Sequence, residues 1–197
     1  MKPLRIGIDF DNTIACYDGV FHKAAVEKKL IPSSVAPSKG AVRDYLRSIG
    51  KEDAWTELQG YIYGARMDLA RPYPHVDRFL ALCHNKQIAT SIISHKTLTP
   101  FLGPKYDLHK AAKTWIDEQR FPWTPTAFFE LTLEEKLKRI SLQGCTVFID
   151  DLPEVLAEKH FPPAVQKVLF DPNRLYSPTG DYFYATSWDE IIQALQL

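Results

Sequence analysis

A chain of 197 residues, 45% of them hydrophobic, can bury a core without covalent staples and has room for one domain carrying an insertion or a small satellite. Lys+Arg and Asp+Glu both number 24, so no overall charge draws the protein to a nucleic acid polymer or to an anionic membrane. Three cysteines, Cys16, Cys83 and Cys145, are an odd count without CxxC or zinc spacing, which points to free, buried thiols in a reducing compartment rather than to nucleophiles.

The first residues, MKPLRIGIDFDNT, reach charge too soon for a signal peptide, and no apolar run approaches membrane-spanning length. The expectation is a soluble cytoplasmic protein. LRIGIDF reads as a first strand. From about Cys16 to Pro72 no strand pattern follows. Val42, Tyr45, Leu46 and Ile49 recur at helical spacing instead, as do Trp55, Leu58 and Ile62, and IPSSVAPSKG and RPYPH punctuate the stretch. Residues 74–85 then place Val76, Phe79, Leu80 and Cys83 on one helical face, and residues 105–119 do the same with Leu108, Ala111, Ala112, Trp115 and Ile116. Around these helices lie four more short apolar runs, QIATSIIS, TAFFE, CTVFID and VQKVLF, of the kind buried on both faces of a parallel sheet. The tail SWDEIIQAL reads as a last helix, capped by Ser187 with Glu190 completing a capping box. The alternation predicts an α/β fold with a doubly wound parallel sheet, formed by residues 1–15 plus 73–197, interrupted by a helical insertion over 16–72.

In such a sheet, ligands bind beyond the carboxyl ends of the strands. The first strand delivers Asp9 and Asp11, the second ends in Ser94, His95 and Lys96, and the fourth ends in Asp150 and Asp151. Aspartate is depleted in strands and expensive to bury unpaired. Alternate residues of an extended segment share a face, so Asp9 and Asp11 can serve one site while Phe10 packs away. Taken singly, each aspartate suits a helix cap or a turn. Together they form an acidic cluster that cannot stay fully ionised in a cleft without a cation. Mg²⁺, which takes a few carboxylate or carbonyl oxygens and keeps waters, suits that donor set and leaves room for a phosphate.

DFDNT at 9–13, IISH at 92–95 and FIDDLPE at 148–154 resemble the motifs of the haloacid dehalogenase superfamily, mostly Mg²⁺-dependent phosphohydrolases on a Rossmann-like sheet. The resemblance covers roughly residues 1–15 and 74–197, and the insertion occupies the place where many members carry a helical cap. It implies that Asp9 is a nucleophile forming an aspartyl phosphate, and that Asp11 protonates the leaving oxygen and then deprotonates water. The carbon–halogen members lack that second carboxylate, so phosphoryl chemistry is favoured. It further implies a Mg²⁺ site made of Asp9, the main-chain carbonyl of Asp11, and Asp151, with Asp150 orienting Asp151 or binding through water. Glu154, after a helix-initiating Pro153, replaces the further acid common in this motif. Ser94 with the main-chain N–H of His95 would bind a phosphate oxygen; Asn12 is a tolerated residue in its motif and joins that set, and Thr13 would support the turn.

The family also uses a lysine or arginine to meet the phosphate oxygens. In LTLEEKLKRISLQ two lysines compete. With Leu133, Leu137 and Ile140 as the buried stripe, Lys136 falls at its edge and Lys138 points to solvent, which selects Lys136 as the third catalytic residue. Two rival readings share parts of this set: a receiver-like signalling domain, which places its phosphoacceptor after a middle strand, and a phosphate-binding regulatory module without turnover. The expected substrate is a small phosphorylated metabolite, a nucleoside monophosphate or a sugar phosphate. Tyr17, Asp18, Phe21, Arg43, Arg47, Tyr61, Tyr63 and Arg66 of the insertion are either groups that hold it or ordinary surface and core.

Overall fold

The computed structural model describes residues 3–197. In chain order its strands are β1 Arg5–Ile8, β2 Ala15–Cys16, β3 Arg71–Pro72, β4 Ala89–His95, β5 Thr126–Glu130, β6 Val147–Asp150, β7 Gln166–Phe170 and β8 Phe183–Ala185. Its helices are α1 Val20–Glu27, α2 Lys39–Ser48, α3 Glu52–Ala65, α4 Val76–Asn85, α5 Leu108–Glu118, α6 Leu133–Leu142, α7 Pro153–Leu156 and α8 Trp188–Ala194. Six strands form one sheet in the order β5-β4-β1-β6-β7-β8, with parallel pairing throughout, and β2 pairs with β3. This is a Rossmann-like, doubly wound α/β fold. All five apolar runs became strands. β8 is an addition, because three residues at a sheet edge, with Phe183 exposed, leave no periodicity to read.

The chain divides into two compact units: residues 1–15, 72–96 and 119–197, and residues 16–71 with 97–118. In the first, the sheet is packed on both faces. Ile93, Phe148 and Leu169 join Leu137 and Ile140 of α6, together with Leu156 and Phe161. Phe170, next to Leu169 in β7, faces the other way, with its ring 5.4 Å from Trp188 of α8, which in turn lies 4.7 Å from Phe79 of α4. Burial of this kind is the main stabilising term of the unit, at about 25 cal/mol per Å² of apolar surface.

In the second unit, α3 packs against α1, α2 and α5. Trp55, Leu58 and Ile62 of α3 are buried, as the helical spacing predicts, and the Phe21 ring of α1 lies 5.3 Å from that of Trp55, tilted by 36°. The expected division is corrected at residues 97–118, which were assigned to the sheet domain and pack here instead. The reason lies in α3: a Cβ at Gly60 or Gly64 would collide with Pro100 or Tyr106, so these two glycines let the segment before α5 approach the helix closely. The Trp115 indole of α5 then donates to the carbonyl of Ala70 at 3.3 Å.

The capping expectation for α8 is also corrected in part. Ser187 Oγ accepts from the N–H of Glu190 at 3.2 Å, but the Glu190 carboxylate reaches one residue further back, accepting from the N–H and hydroxyl of Thr186 at 2.6 and 3.0 Å. A complete capping box stands instead at α6, between Thr132 and Glu135. Among the described residues no helix is long and apolar enough to cross a membrane.

Candidate active site

β1 lies between β4 and β6, where the strand order reverses, and its carboxyl end is the crevice in which such sheets bind ligands. Register brings the acids together. Ile8 pairs with Ile149 of β6, and the N–H of Asp9 donates to the Ile149 carbonyl at 2.8 Å, so one residue further on Asp9 lies beside Asp150. Cross-strand neighbours share a face. The carboxylates of Asp9, Asp150 and Asp151 accordingly gather, with one oxygen of each within 4.8 Å of the others.

The residues after β1 form a tight turn. The Phe10 carbonyl accepts from Ile14 and Ala15, both at 3.0 Å, and the N–H of Asn12 donates to the Ala15 carbonyl at 2.8 Å. Asn12 sits in the left-handed region at φ 57, which asparagine tolerates better than most residues. Thr13 is buried, but among the described residues its hydroxyl has no hydrogen-bond partner, so its support of the turn comes from packing and from its carbonyl, which accepts from the Trp188 indole at 3.3 Å.

The box at the start of α6 fixes the helix's first turn, and Lys136 lies just beyond it on the sheet-facing side. Its ammonium donates to Asp9 Oδ1 at 2.6 Å and to Asp150 Oδ2 at 2.7 Å, with the Phe148 ring 5.5 Å below. Lys138 is two-thirds exposed and pairs with Glu134. At the end of β6, Asp150 Oδ1 accepts the N–H of Leu152 at 3.0 Å, an Asx-type turn that delivers Pro153 to the first turn of α7. Both Asp150 oxygens are thus engaged, whereas Asp151 is less deeply buried. Glu154 is exposed.

Burial raises the Asp9 carboxyl; Lys136 opposes that shift and Asp150 adds to it, leaving the group up at about 7. Burial acts to lower the Lys136 ammonium, but Asp150 and Asp9 outweigh it and hold the lysine above its ordinary value. One ammonium therefore does not compensate three converging carboxylates. The shortfall in positive charge, in a donor set made wholly of oxygen, fits a hard divalent cation such as Mg²⁺.

On β4, Ser94 is buried and His95 is exposed, its Nε2 lying 3.1 Å from the Leu131 carbonyl. The residue whose place in the site the sequence reading missed is Lys96. Its ammonium is buried and lies 2.6 Å from Asp11. Strand alternation carries the signal, since Lys96 shares a face with the buried Ser94. Of the insertion residues, Tyr17 and Phe21 are core, while Arg43, Arg47 and Arg66 are each paired with acids of their own unit. Among the described residues no cysteine forms a disulfide, and burial pushes Cys83 up to about 12 and Cys145 up to about 11, which leaves neither a thiolate at neutral pH.

No protein-family model and no curated protein matches the chain. Solved structures do. A predicted phosphatase from Clostridium acetobutylicum superposes with a TM-score of 0.62 at 13% identity, over 100% of both chains. An L-2-haloacid dehalogenase gives 0.64 at 10% identity, again over 100% of both. The HAD-hydrolase YfnB from Bacillus subtilis, bound to magnesium, gives 0.60 at 11% identity over 100% of both. At such low identity the likeness speaks for architecture, and in that respect the chain has the fold of the haloacid dehalogenase superfamily.

Proposed function

We propose that the protein is a Mg²⁺-dependent phosphomonoester hydrolase that works through an aspartyl-phosphate intermediate on a small phosphorylated metabolite. One observation carries the reading: Asp9, at the carboxyl end of the central strand, shares the Lys136 ammonium with Asp150, while a second carboxylate, Asp11, stands two residues on. Proteins similar in fold include both a predicted phosphatase and a haloacid dehalogenase. Asp11 separates the two chemistries. A departing halide needs no proton, whereas the alkoxide leaving a phosphate ester does.

In this reading an Asp9 oxygen attacks phosphorus and the bond to the leaving oxygen breaks as Asp11 gives that oxygen its proton. Asp11 then takes a proton from water, whose oxygen attacks the same phosphorus, freeing inorganic phosphate and restoring the Asp9 carboxylate. One difficult displacement becomes two easier ones. Lys136 aims Asp9 and supplies fixed positive charge to the non-bridging oxygens. The Ser94 hydroxyl, the main-chain N–H of His95, and Asn12 bind phosphate oxygens. Asp9, the Asp11 carbonyl and Asp151 would hold Mg²⁺, with Asp150 orienting Asp151. When bound, the ion offsets the charge of the acids and of the phosphoryl group.

The substrate is a nucleoside monophosphate or a sugar phosphate. A panel of both classes, assayed with Mg²⁺ and then with EDTA, tests the proposal alongside chloride release from a 2-chloroacid. Phosphate release abolished by EDTA is expected. Turnover indifferent to chelation would sink the metal assignment, and chloride release without phosphatase activity would sink the reaction class.

A further inference from the structure

The proposed mechanism leaves one buried cation without a role. Lys96 is 5% exposed, its ammonium 2.6 Å from an Asp11 oxygen and 5.8 Å from the Phe10 ring centre. It lies one residue past β4, yet its N–H still donates to the Glu130 carbonyl of β5 at 2.8 Å. Its backbone is thereby held as if the strand continued, and its side chain follows Ser94 rather than His95. A surface lysine would place its charge in water by extending its stem. Here the charge is enclosed, which is sustainable when it is paired with a carboxylate.

Among the described residues two lysines, Lys96 and Lys136, are buried, and they divide the acids between them. Lys136 holds Asp9 and Asp150, and Lys96 holds Asp11. Asp11 belongs to the turn after β1, where its backbone bridges to Ala15, and it is the more exposed member of its pair, so its carboxylate lies outside the deep enclosure that holds Asp9. A proton-transfer group displaced by about 1 Å can lose about 10²-fold in rate. We infer that Lys96 is a positioning residue for Asp11: it fixes the rotamer from which that carboxylate serves the leaving oxygen and then the water, and it does so without touching the phosphoryl group. This rests on the proposed phosphatase reading and adds to it a residue that sets the efficiency of one partial reaction.

The test is a double-mutant cycle of Lys96→Met and Asp11→Asn, read on 4-nitrophenyl phosphate, whose leaving group needs no proton, and on an alkyl phosphate, whose leaving group does. Lys96→Met should lower kcat on the alkyl ester by about 10²-fold with KM nearly unchanged. On the aryl ester it should spare the initial phosphorylation burst and slow its decay, and Lys96→Arg should recover a large part of the loss. Added to Asp11→Asn, the lysine change should cost nothing more, since residues that act through one another are non-additive. Equal losses in the phosphorylation burst on both esters, or additive losses in the cycle, would overturn the inference while leaving a working wild-type phosphatase intact. Should Lys96→Met fail to fold, Lys96→Gln takes its place. A structural arm needs no turnover: in crystals of the variant the Asp11 carboxylate should shift or split into two rotamers, and an unmoved Asp11 overturns the inference even if the wild type hydrolyses no phosphate ester at all.

Discussion

Acids of the same two kinds meet opposite fates in the two units. In the helical unit, Arg47 donates to Glu52 at 2.6 and 2.9 Å and Arg43 donates to Asp44 at 2.8 Å, all four side chains well exposed. The arginine hydrogen bonds hold both carboxyls below their ordinary values. At the end of β1, Asp9 also accepts a strong hydrogen bond from a cation, yet burial holds it up at about 7. Pairs in water are screened and add little to stability. Ions in a low-dielectric interior cost several kcal/mol each to desolvate, and one ammonium among three carboxylates does not repay that. The surface pairs are compatible with any function, whereas the buried cluster needs a reason, and chemistry supplies one.

The largest effects should come from the two acids of DFDNT, and they should differ in kind. If Asp9 is the nucleophile and a metal ligand, as proposed, Asp9→Asn removes both at once, so turnover should vanish and no phosphoenzyme should form. Asp11→Asn keeps its main-chain carbonyl and leaves Asp9 able to attack an ester whose leaving group needs no proton. With an activated aryl phosphate it should accumulate covalent aspartyl phosphate, visible as an added phosphoryl mass after a rapid acid quench. Efficient multiple turnover by Asp9→Asn would falsify the nucleophile assignment.

Next comes Lys136→Ala. Removing a preorganised charge from the reacting centre should lower kcat by about 10²-fold or more. Leaving Asp9 and Asp150 together without their ammonium should also destabilise the fold, by about 3–5 kcal/mol where one partner of a buried pair is lost. Chemical denaturation measures the second quantity independently of activity. A variant that loses activity with its stability intact would show that the cluster is wetter than the structure implies.

A smaller and reversible effect should follow from the metal. If Asp9, the Asp11 carbonyl and Asp151 hold Mg²⁺ in the folded state alone, free ion at 100 times its Kd should add about 2.7 kcal/mol of stability. The thermal midpoint should therefore rise with Mg²⁺ and fall back with EDTA. Asp151→Asn should weaken that rise more than the same change at any exposed acid of the helical unit. Equal Mg²⁺ responses in the two variants would remove the acidic cluster as the binding site.

What was legible in the sequence follows the same divide between buried and exposed. The strands were readable because runs such as QIATSIIS and CTVFID are buried on both faces and say so in composition. Their ends were readable because an aspartate there contradicts strand propensity, and such local contradictions mark functional sites. β8 was not readable, being three residues long. Residues 97–118 are hard to assign because the amphipathic stripe of Leu108, Ala112, Trp115 and Ile116 states that α5 is buried but not against what; its partner is α3, far away in sequence, whose Gly60 and Gly64 admit the segment before α5. Lys96 was passed over because a lysine just beyond a strand looks like solvent-facing punctuation. Its alternation with the buried Ser94 is the sequence signal against that reading, and the pairing with Asp11 bears the signal out.

The smallest effect is expected from the lysine closest in sequence to the largest cationic one. Lys138 follows Lys136 by two residues on α6, which rotates it by roughly 200° about the helix axis. Its side chain is 66% exposed, and its ammonium lies 2.6 Å from Glu134, one turn earlier, whose side chain is 72% exposed. Glutamate four residues before lysine is the favourable order on a helix, but such a pair is screened by salt and loses side-chain entropy on forming. Lys138→Ala should therefore leave kcat and KM at wild-type values and leave the melting midpoint unmoved. Raising the salt to 1 M should abolish any residual difference, because screening would already have removed what the substitution removes. A loss of turnover comparable with that of Lys136→Ala would mean that the net charge of α6, rather than one ammonium held between Asp9 and Asp150, sustains the chemistry. The contrast between enclosed and exposed charge would then fail on a single helix, where propensity, capping and sequence neighbourhood are shared and burial is the main variable.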